Sequence, residues 1–120
     1  MAAKGEFSFK AITITYSQGP VGVVAQANWE GTVSGFGSVF STVTYSGGPK
    51  GGSYSLCERA FMDDGDMLSA IGQGTYEAVG KHRWRTRGVV EISDDGRRFR
   101  VEGEIDIHAR SWKGTFSELS

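Results

Sequence analysis

Residues 83–107 have the sequence RWRTRGVVEISDDGRRFRVEGEIDI, two alternating segments on either side of Asp95-Gly96. Asp-Gly is a strong hairpin signal, because both residues tolerate the backbone conformations that tight turns need. A two-residue turn there pairs charges of opposite sign on one face: Arg85 with Asp106, Arg87 with Glu104 and Glu91 with Arg100. The other face is mostly apolar and pairs Trp84 with Ile107, Thr86 with Ile105, Val90 with Val101 and Ile92 with Phe99. This alternation predicts an antiparallel β-hairpin with one buried face.

The same sidedness continues through a turn at His108-Ala109, which pairs Glu104 with Lys113 outside, and Ile105 with Trp112 and Val101 with Phe116 inside. Further turn signals divide the whole chain into candidate strands at about residues 6–17, 21–31, 36–46, 53–62, 67–78, 81–93, 97–107 and 110–117. Short turns between long strands predict an antiparallel meander, and closure removes its exposed edges. We therefore expect an all-β fold, an eight-stranded antiparallel up-and-down barrel of the calycin-like type.

The composition agrees with this fold and limits the function. A chain of 120 residues forms one domain, 1–120, and its 18 glycines penalise helix interiors. The net charge of −1 gives no field for nucleic acid, and the arginines of the basic run 81–87 point outward toward acidic partners. A single cysteine, Cys57, and two histidines offer no disulfide and no metal-ligand spacing, so we expect no metal and no cofactor. Without a signal peptide or a long apolar stretch, we expect a cytoplasmic protein with no membrane partner.

The turns of the middle strands predict what the barrel encloses. A turn at Val79-Gly80 places Glu77 opposite His82, and a turn at Asp64-Gly65 places Glu58 opposite Ile71, all inside. The predicted interior has an apolar floor of Met62, Met67, Ile92 and Phe99. Its predicted polar mouth, under the glycine-rich loop 47–52, contains Tyr54, Thr75, Glu77, His82, Trp84 and Arg110. A closed floor below a polar mouth favours a pocket for one small ligand.

Three residues are candidates for catalysis. Glu77 beside His82 could fix the imidazole tautomer and bring its pKa into range for proton transfer. Burial would raise the pKa of Glu58 and let it act as an acid or base. A hydrogen-bonded pair at the barrel rim is the alternative interpretation for Glu77 and His82, and a bulge that turns the side chain outward is the alternative for Glu58. The candidate ligand contacts are Tyr54, Leu56, Gln73, Thr75, Trp84, Thr86, Trp112 and Arg110, of which Tyr54 and Trp84 can equally be packing residues and Arg110 a turn residue.

Residues 70–80, AIGQGTYEAVG, resemble the glycine-rich strand and turn of the allene oxide cyclase-like and dirigent-like barrels. There a glycine pair, an aromatic residue and a small-residue turn ending in glycine occur in similar order. The resemblance implies a small eight-stranded barrel that binds a hydrophobic or polyketide-like molecule, in several members during cyclisation or coupling. We therefore expect a small hydrophobic or aromatic ligand, polyketide- or terpenoid-like, and a cofactor-independent cyclase or isomerase. The alternatives are a non-catalytic lipocalin-like carrier or sensor and a structural module with a filled interior.

Two further features of the pattern lead to predictions. Tyr45, Phe61 and Tyr76 fall on predicted outer faces, where clustered aromatic residues can mark an interface, so a homo-oligomer is expected. In the first strand the apolar alternation changes phase between Phe9 and Ile12, which predicts a β-bulge near Lys10 or Ala11.

Overall fold

The computed structural model describes residues 3–119 and contains eight β-strands in one closed barrel. The strands are β1 (Lys4–Gly19), β2 (Gly22–Val33), β3 (Gly37–Gly48), β4 (Gly51–Phe61), β5 (Met67–Gly80), β6 (Arg83–Ile92), β7 (Arg98–Asp106) and β8 (Ser111–Glu118). Each strand pairs antiparallel with the next, and β8 pairs with β1. The predicted eight-stranded up-and-down barrel is therefore confirmed. No helix among residues 3–119 has the length and apolar character needed to cross a membrane.

Because the chain runs up and down, its turns alternate between the two ends of the barrel. We call the end with turns 20–21, 49–50, 81–82 and 107–110 the closed end. The other end, with loops 34–36, 62–66 and 93–97, is called the cavity end. Side chains from all eight strands meet between these ends in two adjoining apolar clusters.

In the two C-terminal hairpins, the side chains predicted to face inward do face the interior of the barrel. In β7 and β8 the predicted register is confirmed, with Glu104 opposite Lys113 and Ile105 opposite Trp112. In β6 and β7 the predicted register is wrong by two residues, because Arg85, not Arg87, lies opposite Glu104. A shift by two residues preserves the alternation, so the predicted apolar side chains still face inward.

The longer loop at residues 93–97 causes this shift. The N–H of Ile92 donates to the carbonyl oxygen of Arg97, and the N–H of Gly96 donates to that of Ile92. Asp95 tightens the loop, since its carboxylate accepts the N–H of Arg97 at 3.0 Å and its side-chain Nε–H at 2.9 Å. Asp95-Gly96 therefore lies inside a larger loop instead of forming a two-residue turn.

Strand β5 faces the opposite way from the prediction. Phe61 and Met67 flank the loop 62–66, so Glu58 lies opposite Ala70 and not Ile71. At the other end of β5 the turn is at residues 81–82, and the register shifts between Ala78 and Gly80. Each change moves β5 by an odd number of residues, which exchanges its inner and outer faces.

Two glycines on the inner face of this region make room for an aromatic ring. Gly74 of β5 lies directly opposite Gly88 of β6. A Cβ atom added at Gly74 would lie 2.7 Å from Cε2 of Tyr54, and one added at Gly88 would collide with the Tyr54 hydroxyl group. Glycine at these positions lets the Tyr54 ring lie over the inner face of β5 and β6, where it is 4% exposed.

The first hairpin contains the predicted bulge. The register of β1 against β2 shifts between Ala11 and Thr13, one residue beyond the predicted position, so the bulge is confirmed. Phe7 and Phe9 point into the core before the bulge, whereas Ile12 lies at the bulge and is 52% exposed. Beyond Lys10, β1 leaves β8 and stays paired with β2, which is itself paired with β3 as far as Ala25, so only the hairpin tip at residues 17–24 is two-stranded.

Candidate functional site

Hydrogen-bonded aromatic side chains fill the closed end. The indole N–H of Trp84 donates to the carbonyl oxygen of Pro49 at 2.7 Å, and the Tyr76 hydroxyl donates to that of Gly48 at 2.9 Å. Both bonds attach the glycine-rich loop 47–52 to side chains of the neighbouring strands β5 and β6. The prediction of a polar mouth under this loop is wrong, because Thr75, Glu77, His82 and Arg110 are exposed and Trp84 is bonded to the loop itself.

Two more indole groups extend the filling toward the middle of the barrel. Trp29, 1% exposed, donates from Nε1 to the Tyr45 hydroxyl oxygen at 3.2 Å. Trp112 donates from Nε1 to Thr86 Oγ1 at 3.0 Å, and its ring centroid lies 5.7 Å from that of Trp29. Burial raises the pKa of Tyr45 well above its usual range, so its hydroxyl group stays neutral.

A cavity of about 80 Å³ lies on the other side of Trp112, toward the cavity end. Its wall is mainly apolar and includes the aromatic residues Phe7, Phe9, Phe36, Tyr54, Phe99, Trp112 and Phe116. Phe36, in the loop 34–36, contributes a ring that packs edge to face on Phe99 at 5.7 Å between centroids. The end of the barrel that was predicted to be a closed apolar floor therefore contains the cavity, and aromatic side chains surround that cavity.

Glu58 is the one carboxylic acid among the described residues that line this cavity, and none of those residues is Lys, Arg or His. Glu58 keeps some accessible surface, but the surrounding protein desolvates its carboxyl group and raises its pKa to about 7. The Ser41 hydroxyl, on the neighbouring strand, lowers this pKa by less than burial raises it. Glu58 therefore changes its protonation state near neutral pH.

Ser41 adds a second polar group beside Glu58. It lies directly opposite Glu58 in the pairing of β3 with β4 and is 3% exposed. Its Oγ is close enough to the Glu58 carboxyl group to lower that pKa, but among the described residues it makes no hydrogen bond of standard length and angle. A buried hydroxyl group without a partner costs free energy, so the Ser41 and Glu58 pair has unused capacity for hydrogen bonds.

Part of the predicted site is brought together at the cavity. Tyr54, Leu56, Glu58 and Trp112 all line it. The alternative that a bulge turns Glu58 outward is wrong, because β4 pairs with β3 and β5 without a register shift. Thr86 and Trp84 also face the interior, but they contribute to the filling near Trp112 and at the closed end.

The other predicted site residues lie on the outside. The predicted inward orientation is wrong for Gln73, Thr75 and Glu77, because β5 has the opposite facing, and Glu77 lies 3.8 Å from the Arg85 guanidinium on the outer surface. His82 and Arg110 occupy turns with positive φ, 58° and 52°, and are exposed. The proposed pairing of Glu77 with His82 is thus absent from the interior of the described barrel.

The predicted positions of three other side chains are corrected as well. Tyr45 and Tyr76 were expected on the outer face, but both ring systems point inward and their centroids lie 5.6 Å apart. Phe61 is on the outer face as predicted, at 42% exposure. Met67, expected in the apolar floor, is 57% exposed because β5 is reversed.

Phe36 and Ser41 are site residues that the sequence pattern did not identify. Phe36 lies in a turn, where alternation gives no facing. Ser41 shares the inner face of β3 with Val39 and Val43. Val39 and Val43 have the same parity as Ser41, but Phe40 on the opposite parity is apolar too, so alternation from 39 to 44 gives no clear signal for this face.

Comparisons with family models, with curated proteins and with solved structures found no significant match to this chain. The resemblance of residues 70–80 to the allene oxide cyclase-like barrels thus stays a prediction. Within residues 3–119 no three His, Cys, Asp or Glu side chains are grouped closely enough to hold a metal ion. The candidate site is the cavity with the Glu58 carboxyl group in its wall.

Proposed function

We propose that the protein binds a small apolar molecule in the barrel cavity and that the Glu58 carboxyl group contacts the ligand's polar group. The observation that carries this proposal is a mainly apolar, aromatic wall that contains one carboxylic acid and no cationic residue among the described lining residues. A shift of its pKa to about 7 from 4.5 corresponds to roughly 3 kcal/mol of unfavourable free energy for the ionised form. A ligand that contacts the carboxyl group would recover part of this free energy.

The size of the cavity restricts the ligand. A cavity of about 150 Å³ can hold benzene, with its six non-hydrogen atoms, so about 80 Å³ holds roughly three such atoms. Because the cavity is partly open, a ligand of about five such atoms can extend through the opening. A polyketide- or terpenoid-like molecule needs several hundred Å³. It could enter only if a part of the wall such as Phe36 moved outward. The ligand that fits this cavity is therefore smaller than the polyketide- or terpenoid-like molecule that the sequence led us to expect.

Binding can be tested with three probes that share one carbon skeleton: isobutanol, isobutyraldehyde and isobutylamine. Two-dimensional ¹H–¹⁵N NMR resolves the indole N–H groups of Trp112, at the cavity, and Trp84, at the closed end. We expect at least one probe to shift the Trp112 signal while the Trp84 signal stays fixed. Ala70→Val, which adds two methyl groups to the cavity wall, should weaken binding, whereas Ala78→Val on the exposed part of β5 should not. No shift with any probe would sink the proposal.

A cofactor-independent isomerase or cyclase is the second candidate, supported by the pKa of Glu58 near 7. At this pKa both the acid and the base form are populated at neutral pH, and a positioned general base typically accelerates proton transfer about 10²- to 10⁴-fold. Glu58 would take a proton from the carbon next to a carbonyl group and return one to the product. Isobutyraldehyde in D₂O tests this step, because its α-proton would exchange for deuterium faster with the wild type than with Glu58→Gln. Equal exchange rates would leave binding as the function.

A further inference from the structure

The cavity wall offers groups that attract positive charge. Glu58 supplies a carboxyl group, and the aromatic rings supply electron-rich faces that bind cations. The indole N–H of Trp112 is already bonded to Thr86 and is not free to donate to a ligand. The hydroxyl group of Tyr54 can accept as well as donate a hydrogen bond. An acceptor-rich wall fits a ligand that is itself a donor.

The aromatic rings around Trp112 form one continuous cluster. Phe7 and Tyr54 pack nearly perpendicular to its indole, with interplanar angles of 78° and 85° and centroid distances of 5.4 Å and 6.1 Å. Phe9 lies tilted against the same indole at 5.7 Å. All four of these residues also line the cavity, so the parts of their rings that are not covered by one another can contact a cation there.

A cation already contacts the aromatic wall from outside. The Arg97 guanidinium carbon lies 5.6 Å from the ring centroid of Phe36 and 5.8 Å from that of Phe99. Both rings also line the cavity. The cavity end therefore uses cation–π contacts on its outer side, whereas the inner side, next to Glu58, has no cation among the described lining residues.

From these contacts we infer that the ligand is a small organic ammonium ion, whose charged group pairs with the Glu58 carboxylate and whose alkyl groups contact the aromatic rings. This inference rests on the proposed function and specifies the chemistry of its ligand. The unpartnered Ser41 hydroxyl, opposite Glu58, can accept a second N–H bond from the same ammonium group. The ammonium group and roughly two carbon atoms fit the cavity volume of about 80 Å³, and further carbon atoms of the amine can extend through its opening.

The pH dependence of binding separates this ligand from a neutral one. Toward Glu58, β4 presents the titratable Tyr54, β3 presents Ser41 and β5 presents Ala70, so Tyr54 is the other titratable group of the cavity wall. The pKa of Tyr54 is raised to about 12, mainly by burial, and Tyr54 stays neutral at the pH values of the test. Because the pKa of Glu58 is about 7, its carboxylate fraction increases about tenfold from pH 6 to pH 8. An ammonium ion should therefore bind about ten times more tightly at pH 8. A carbonyl compound, which needs the protonated acid, should bind more weakly there.

The decisive experiment compares isobutylamine with isobutanol and isobutyraldehyde by NMR titration at pH 6 and pH 8. We expect isobutylamine to bind at least about tenfold more tightly than isobutanol at pH 8, and its affinity to fall about tenfold at pH 6. Glu58→Gln should abolish both differences, while Glu91→Gln, on the exposed face of β6, should preserve them. Gln has nearly the shape of Glu and lacks the charge, so the barrel should stay folded.

The outcomes distinguish this inference from the function on which it rests. If isobutanol or isobutyraldehyde binds as tightly as isobutylamine, or if Glu58→Gln leaves the preference for the amine unchanged, the ammonium assignment is wrong while the binding function stands. If none of the three probes shifts the Trp112 signal at either pH, both are wrong.

Discussion

The two ends of the barrel interior are filled by different chemistry. At the closed end the aromatic residues carry N–H and O–H groups that bond to nearby oxygens, as Trp84 does to Pro49. At the cavity end Phe36, Phe99 and Phe116 pack edge to face without any such group. Hydrogen bonds fix both distance and direction, whereas apolar contacts do not. The difference explains why one end is sealed and the other can contain a cavity and an unpartnered acid.

The largest difference between the ends is expected in stability. Trp29→Ala should lower the free energy of unfolding by about 3 to 5 kcal/mol, because it empties a fully buried site and leaves the Tyr45 hydroxyl without its partner. Phe36→Ala, at the half-buried cavity end, should cost about 1 to 2 kcal/mol. Urea unfolding of both variants measures this difference. Equal losses would mean that the two ends are equally well packed.

The protonation of Glu58 should give the next largest effect. Burial raises the pKa of this acid in the folded state, so the folded protein holds the proton more tightly than the unfolded chain. Its contribution is therefore favourable at low pH and is lost as pH rises from about 4.5 toward about 7. Glu58→Gln removes this loss. The stability of the variant relative to the wild type should rise by roughly 2 to 3 kcal/mol between pH 5 and pH 8.

Urea unfolding at these two pH values is the measurement, with Glu91→Gln as the matched control on the outer surface. All other carboxyl groups are common to the variant and the wild type, so their titration cancels in the comparison. A pH-independent difference in stability between Glu58→Gln and the wild type would show that Glu58 is solvated. The cavity end would then contain no desolvated acid to distinguish it from the closed end.

The fold was predictable because the strand alternation is regular and the turns are short. Trp84 and Ile105 were placed inside correctly although the register of β6 against β7 was wrong, since a shift by two residues keeps each side chain on its face. Charge pairing could not detect this error, because Arg85 meets an acidic residue, Glu104 or Asp106, in both registers.

The site was predictable only in part, because loop lengths cannot be read reliably from turn residues. Loop 62–66 and the turn at 81–82 each reversed the facing of β5, which moved Glu77 outside. The two reversals cancel, so Tyr54 and Glu58 on β4 were placed inside correctly. The sequence does contain a signal for the correct facing, because Glu77 and Arg85 pair opposite charges across β5 and β6, as the arginines and acids of the next hairpin do.

Filling the cavity should change the free energy of unfolding by a smaller amount than the Glu58 substitution. Ala70→Val places two methyl groups in the wall beside Glu58, where the space of about 80 Å³ can accept them. We expect a gain of about 1 kcal/mol in the free energy of unfolding, from apolar surface buried without strain.

A substitution at Thr86, in the filled part of the interior, should have the opposite effect on stability. Thr86→Val keeps the side-chain volume but removes the acceptor of the Trp112 indole N–H. That variant should be less stable, by about 1 kcal/mol.

Urea unfolding of both variants checks the two signs. A loss on filling at Ala70 would mean that the wall cannot relax around the added methyl groups. A gain at Thr86 would mean that the Trp112 indole finds another acceptor, and that hydrogen bonding does not distinguish the two sides of this indole.

The smallest expected effect concerns Arg97, the cation on the outer side of the cavity end. Its side chain is 40% exposed and paired with Asp95, so solvent screens most of its charge. Arg97→Gln should lower the free energy of unfolding by about 0.5 kcal/mol, through the lost contacts with the Phe36 and Phe99 rings. Arg98→Gln, the exposed neighbour at the start of β7, is the matched control and should be neutral.

The binding of isobutylamine gives Arg97 a second readout. The same rings contact Arg97 outside and line the cavity inside, and like charges repel across them. Removing the outer cation should therefore tighten isobutylamine binding, by about twofold at low ionic strength, while isobutanol binding should change little. The gain should disappear in high salt, where the repulsion is screened. Equal tightening of both probes would show that Arg97 acts by holding Phe36 over the cavity, and that its charge is not felt inside.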